Sequence, residues 1–195
     1  MYSGVMSMNT SERLIEATRE LLWERGYVGT SPKAVQQAAG AGQGSMYHHF
    51  AGKPDLALAA IRRTAEEMGA AAEAVLGGEG TAYGRIEAYL LRERDVLRGC
   101  PVGRLTMDPE IVAEPALRAP VDEVIGRLRT RLAEVVQQGL DRGELSGSLD
   151  ADETAATVLA TVQGGYVLAR ATGSRAPFDS AVRGLLALLA PRDAD

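Results

Sequence analysis

The chain has 195 residues, 46 % of them apolar and 5 % aromatic, with a net charge of −5. That apolar share suffices for one compact domain, or for a small domain continuous with a larger one. A single cysteine, Cys100, excludes a disulfide within the chain and a thiolate metal cluster. The first ten residues lack the basic stretch and apolar core of a secretory leader, and no apolar run approaches the ~18 residues of a membrane span. The expected location is the cytoplasm.

The acidic excess is segregated. Residues 1–56 carry five Lys/Arg against five Asp/Glu, while residues 57–195 carry sixteen against twenty-one. An overall acidic charge argues against nucleic acid as a partner, but a neutral N-terminal segment binds phosphate if its bases face one way. Alanine and leucine are plentiful, and with Glu and Arg they lose little entropy in a helix.

Residues 1–8 read as a loose tail. Asn9 with Glu12 three residues on is a capping-box pattern. Leu14, Ile15, Thr18, Leu21 and Leu22 then mark one helical face, and Gly26 ends that helix. Ser31-Pro32 is an N-cap hydroxyl followed by proline at the first helical position, predicting a short helix Pro32–Ala39 stopped by Gly40. A tight turn around Gly42 and Gly44 precedes a second short helix, from about Gln43 to Phe50. Gly52 breaks it, and a longer helix is expected over Pro54–Leu76. Three helices of this size, two of them short and joined by a glycine turn, describe a helix-turn-helix whose second short helix enters the major groove.

Further on, Gly77, Gly78 and Gly80 make a break. A helix over Thr81–Arg98, a Gly-Cys-Pro-Val-Gly loop at 99–103 and a short helix within 104–112, closed by Pro115, are expected next. A long helix over Ala116–Arg142 with a bend near Pro120 follows, then a loop at 143–148. Asp150 caps a helix to Ala171, and a last one spans Pro177–Leu189. No segment alternates with period two, so the expected fold class is all-α.

The run Thr30-Ser31-Pro32-Lys33-Ala34-Val35-Gln36-Gln37-Ala38-Ala39-Gly40, followed by Gly44-Ser45-Met46-Tyr47-His48-His49-Phe50 and Lys53-Pro54-Asp55-Leu56, resembles the DNA-binding signature of the TetR family. Leu21 to Tyr27 resembles the end of that family's first helix, and the loop around Cys100 resembles the LmrA/YxaF-like branch. The resemblance implies an N-terminal three-helix helix-turn-helix domain, residues 9–53. A C-terminal helical ligand-binding and dimerisation domain, residues 54–195, would follow it. It implies phosphate contacts for Ser31, Tyr47, His48 and Lys53, and base reading by Gln43, Gly44 and Ser45 at the start of the recognition helix. Ala41-Gly42 stands where the family prefers Val-Ser, Gln43 replaces a common lysine, and Pro32 replaces a polar residue; these departures bear on the operator sequence.

The function this implies is a repressor that binds a palindromic operator as a homodimer and is released by a small-molecule effector. The dimer interface is expected from the last two long helices, through Val158, Val162, Leu185, Leu186 and Leu189. Candidate effector-pocket residues are Tyr83, Tyr89, Leu90, Cys100, Met107, Gln163 and Tyr166, for neutral or cationic apolar ligands. Each also reads as ordinary core. Met46 and Phe50 read as core rather than contacts.

Two other classes stay open. Cys100, with Arg98 and Arg104 near in sequence, is a candidate redox or electrophile sensor, though a structural cysteine fits as well. A helical small-molecule carrier that does not bind DNA is the second. No metal or cofactor is expected: His48 and His49 point about 100° apart on a helix and cannot chelate one ion well, and one of them is expected to be packed or half-buried. The glycines at 40, 42 and 44 lack the strand and spacing of a dinucleotide fingerprint. Both histidines lie in the DNA-reading helix, leaving no spare histidine base, so an enzyme is not expected.

Overall fold

A computed structural model of the chain describes residues 8–190; of the expected tail, only Met8 falls within them. Nine α-helices account for most of the described residues, with no strand among them. In chain order they are α1 Thr10–Arg25, α2 Pro32–Ala39, α3 Gln43–His49, α4 Lys53–Leu76 and α5 Ala82–Leu91. A 3-10 turn, Gly103–Met107, precedes α6 Pro109–Ala113, α7 Pro115–Asp141, α8 Ala151–Thr172 and α9 Ala176–Leu189. The chain divides into two compact units. The first runs through Glu66 and takes in Pro101–Asp122; the second comprises Glu67–Cys100 and the residues from Glu123 onward. Residues 101–122, which the sequence reading assigned to the effector part, thus pack with the N-terminal helices.

In the first unit the local signals act as written in the sequence. Asn9 caps α1, its side chain accepting from Glu12 N at 2.9 Å while Glu12 accepts from Asn9 N at 3.0 Å. Ser31 caps α2, accepting from Ala34 N at 3.2 Å, and Gly40 closes it at φ 59°, where a side chain would be strained. Apolar residues from each short helix meet α1 and α4 in one core: Leu14, Leu21, Val35, Met46, Phe50 and Leu56. Burying side chains of this size contributes about 1.5–3 kcal/mol each, which is what holds helices as short as α2 and α3.

The segment 101–122 is tied to this head through Asp108. Its Oδ1 accepts from Glu110 N and Ile111 N, capping α6, while its Oδ2 accepts from Tyr27 N at 2.8 Å and Val28 N at 3.0 Å. Asp108 is 8 % exposed. The turn it holds begins at Gly26, φ 74°, where a Cβ would lie 3.0 Å from the Asp108 carboxylate.

In the second unit, α8 and α9 form a hairpin turned at Gly173. Gly165 lets them approach closely, since a Cβ there would meet the Phe178 ring at 2.8 Å. The buried Arg85 donates to Leu76 O at 3.1 Å and Gln138 Oε1 at 2.8 Å, closing the end of α4 and joining α5 to α7. The helix expected over Thr81–Arg98 stops at Leu91 instead. The Arg94 guanidinium folds back and donates to the carbonyls of Tyr89 and Leu90. It thereby satisfies two of the carbonyls left without an intrahelical partner at the end of α5. α7 runs unbroken through Pro120.

Candidate functional site

Helix α3 has two unlike faces. Met46 is fully buried and Phe50, at its C-cap, is nearly so. The Gln36 amide contacts Met46 Sδ at 3.4 Å, fixing α3 against α2. The other face is open. Tyr47 is 52 % exposed, Gln43, Gly44, His48 and His49 are exposed, and Ser45 is half-buried. Gly42 caps α3 without a side-chain bond. Both histidines are exposed, which corrects the expectation that one would be packed; their rings meet edge-on at 5.0 Å. They have no third partner for an ion, and no group of three or more metal-ligating side chains occurs among the described residues.

Around α3 stand the remaining expected contacts. Ser31 is exposed at the start of α2, beside the exposed Lys33, a cation the sequence reading passed over. Lys53 opens α4 and is half-buried, its Nζ 3.9 Å above the Tyr27 ring. A charged head seated on an aromatic face loses little freedom when it meets a phosphate. The open face therefore presents phenol, amide, imidazole and ammonium groups, and α3 carries no carboxylate. Chemically, such a face donates to anionic oxygens and to base edges.

In the second unit the structure brings together Tyr89, Cys100 and Tyr166 of the expected pocket residues. All three interact electrostatically with Arg94 and, for the tyrosines, with Arg92. Arg92 lies 4.6 Å over the Tyr89 ring, Arg94 lies 5.8 Å from the Phe178 ring, and Tyr166 and Phe178 are 5.1 Å apart. Burial raises the Tyr166 hydroxyl to about 12 and pushes Tyr89 up as well, while it lowers Arg94. Cys100 is half-buried in this group. Leu90 is buried, and the Tyr83 hydroxyl reaches Leu186 O at 3.5 Å.

Met107 and Gln163 do not join them: Met107 is 83 % exposed and belongs to the first unit, and Gln163 is exposed on α8. The sequence reading missed Arg92, Arg94 and Phe178. It ran a helix through both arginines, and a lone phenylalanine in a C-terminal helix reads as generic core.

The five residues expected at an interface between copies need correction. Val158, Val162, Leu185, Leu186 and Leu189 are buried within the single chain, at 0 to 7 % exposed. They fill its own core, because the stripe that faces inward is the one with the strictest apolar period. The large apolar residues left open on α8 and α9 are Val167, Leu168 and Leu188, at 64, 51 and 81 % exposed. Leu168 and Leu188 flank a shallow groove of about 350 Å³ floored by Gly164 and Gly184, to which Leu185 also contributes.

Comparison with known proteins agrees with this geometry. Residues 14–60 match the family described as bacterial regulatory proteins, tetR family, and residues 83–185 match the tetracyclin repressor-like C-terminal domain. The HTH-type transcriptional repressor AcnR of Corynebacterium glutamicum is 28 % identical over 178 residues, covering 88 % of this chain and 87 % of that protein. A TetR transcriptional regulator of known structure from Chloroflexus aurantiacus is 30 % identical, with a TM-score of 0.78 over 91 % of this chain and 92 % of that one. The regulator CifR, a cysteine mutant solved in complex with 26-bp double-strand operator DNA, shares the fold at 23 % identity. Its TM-score is 0.76 over 91 % of this chain and 95 % of that one. These relatives are transcriptional regulators, not enzymes. With family matches to both its N-terminal and C-terminal parts, this all-helical chain belongs to the TetR family of helix-turn-helix transcriptional regulators.

Proposed function

We propose that the chain is a repressor that binds a palindromic operator as a homodimer and lets go when a small molecule occupies its second unit. The observation that carries this reading is the open face of α3: Gln43, Tyr47 and His48 face solvent while Met46 and Phe50 anchor the helix from behind. Polar side chains held out on a rigid short helix are what reading the major groove requires. Tyr47, His48, Ser31 and Lys53 contact phosphates, and Gln43, Gly44 and Ser45 read base edges. The operator complex of CifR, which shares this fold, and the repressor AcnR among the relatives support both the DNA partner and the sign of regulation.

The open apolar strip of Leu168 and Leu188 over Gly164 and Gly184 supports pairing of two copies through α8 and α9. Exposed leucines beside glycines permit close helix approach and gain from being covered. The effector region is assigned to the group around Tyr89, Cys100 and Tyr166. An effector weakens operator binding only by its differential affinity for the two states of the dimer. No helix among the described residues is long and apolar enough to cross a membrane; the proposed DNA partner supports a cytoplasmic location.

A mobility-shift assay on DNA flanking its own gene tests this. Retardation of a palindromic fragment, falling steeply as salt rises, is the expected result; a helical carrier that does not bind DNA gives no shift. An oxidant that releases DNA from the wild type but not from Cys100→Ser would assign sensing to Cys100 in place of a non-covalent effector.

A further inference from the structure

The first unit contains a groove that the effector reading leaves unused. It measures about 440 Å³, within the range that small-molecule sites occupy. Its walls are mostly apolar and include Tyr27, Pro54, Leu58 and Leu117, and it carries three carboxylates, Asp55, Glu110 and Glu114, with no lysine or arginine among its lining residues. It lies wholly within the unit that holds the helix-turn-helix.

The carboxylates are not consumed by the fold. Asp55 accepts one bond, from Ala51 N at 3.0 Å, and Glu114 accepts one, from Ala116 N at 3.3 Å. None of the three forms an ion pair with another described residue. Their field is felt at the groove wall: burial first, then Glu110, Asp108 and Glu114, hold the Tyr27 hydroxyl above its usual range. An apolar wall beside uncompensated negative charge disfavours anions and leaves neutral apolar molecules without a partner for the carboxylates. An organic cation with an apolar body satisfies both.

We propose that this groove, bounded by Tyr27 and the carboxylates of Asp55, Glu110 and Glu114, binds an amphipathic organic cation. Binding here stands independently of the operator and of the effector group in the second unit. Its physical consequence follows from position: Tyr27 forms one wall of the groove, lies under the Lys53 ammonium, and is held through its backbone by Asp108.

The test is isothermal titration calorimetry on the full chain without DNA. The probes are benzyltrimethylammonium, its anionic counterpart phenylmethanesulfonate and neutral benzyl alcohol. We expect saturable binding of the cation at one site per chain and none of the other two, at concentrations up to about 10 mM. Glu110→Gln with Glu114→Gln, both exposed positions, weakens binding by about tenfold. Ala113→Lys, which sets a tethered ammonium in the groove, abolishes it, with an unchanged circular dichroism melt showing that the variant folds. Absence of saturable cation binding, equal binding of the neutral or anionic probe, or full affinity in either variant overturns the proposal. Operator affinity is measured separately with the same probe, so loss of DNA binding in general does not bear on occupancy of the groove.

Discussion

The Asp108 carboxylate accepts the backbone N–H of Tyr27 at 2.8 Å, across eighty-one positions of sequence. The same side chain caps α6 through Glu110 N and Ile111 N. One buried group therefore fixes both the start of α6 and the turn that leads from α1 into the helix-turn-helix. Removing it strands four backbone donors, two of them in the α1–α2 turn. Asp108→Ala is expected to lower stability by about 2–4 kcal/mol, because hydrogen bonds to a charged acceptor are worth more than neutral ones and buried donors left unpaired are costly. Asp108→Asn, which keeps one acceptor oxygen, falls between. Urea denaturation of the three proteins checks the order.

Tyr47 is half open and makes no contribution to the core, whereas Met46 beside it is fully buried. Tyr47→Ala is therefore expected to leave the unfolding free energy in urea within about 0.5 kcal/mol of wild type while weakening operator binding about tenfold. Met46→Ala has the opposite profile, with about 2–5 kcal/mol of stability lost. Fluorescence anisotropy on labelled operator, read beside denaturation, separates the two.

Lys53 sits on Tyr27, and in the proposed operator complex its charge meets phosphate. Lys53→Met is expected to weaken binding to every DNA sequence alike and to reduce the salt slope of log K by about 1 per DNA-binding head. A change in sequence preference without a change in slope would show that Lys53 reads bases instead.

Leu188, at 81 % exposed, stands in the open strip of α8 and α9. Leu188→Glu is expected to convert a dimer to a monomer at micromolar concentration, read by sedimentation equilibrium, with little effect on the fold of the single chain. Leu186→Glu, 7 % exposed, should unfold it instead, because a buried unpaired charge costs several kcal/mol.

Tyr166 carries a pH prediction. Its hydroxyl is raised to about 12, from an ordinary value of 10.0, chiefly by burial. Above pH 10 the unfolded chain ionises this group and the folded chain does not. Stability from this site is thus fully present below pH 10 and is lost as pH rises toward about 12, by up to about 3 kcal/mol. Tyr166→Phe should flatten the alkaline limb of a stability–pH curve by that amount, once the smaller shift of Tyr89, in the same direction, is allowed for.

Most of the helix order was legible because its signals are local. Asn9 with Glu12, Ser31 with Pro32, and Gly40 each act within one turn of chain, and all three work in the structure as their spacing implies. The inward Met46 and Phe50 followed from residue type, and the outward Tyr47 from the family resemblance. What escaped depended on contacts between distant residues. Nothing near Arg94 in sequence announces that its guanidinium will cap the carbonyls at the end of α5, and Asp108 looks like an ordinary cap until Tyr27 is seen beside it. The residues expected at an interface lie in the core of the single chain for a related reason. Periodicity identifies an apolar stripe, but on a helix with two such faces only packing decides that Leu186 turns inward and Leu188 outward. Met107 failed as a pocket residue because hydrophobicity alone does not bury a side chain.

The claim beneath all of this is that α3 lies in the major groove, twice over, once for each copy. Dimethyl sulfate protection on an operator fragment reports it directly, since the reagent attacks guanine N7 in that groove. The account predicts two protected clusters about one helical turn apart, or a multiple of it, related by the dyad of the site. Both should weaken together in Tyr47→Ala at concentrations that just saturate the wild type. Retarded DNA with unprotected guanines, or a single cluster with no dyad mate, would contradict it.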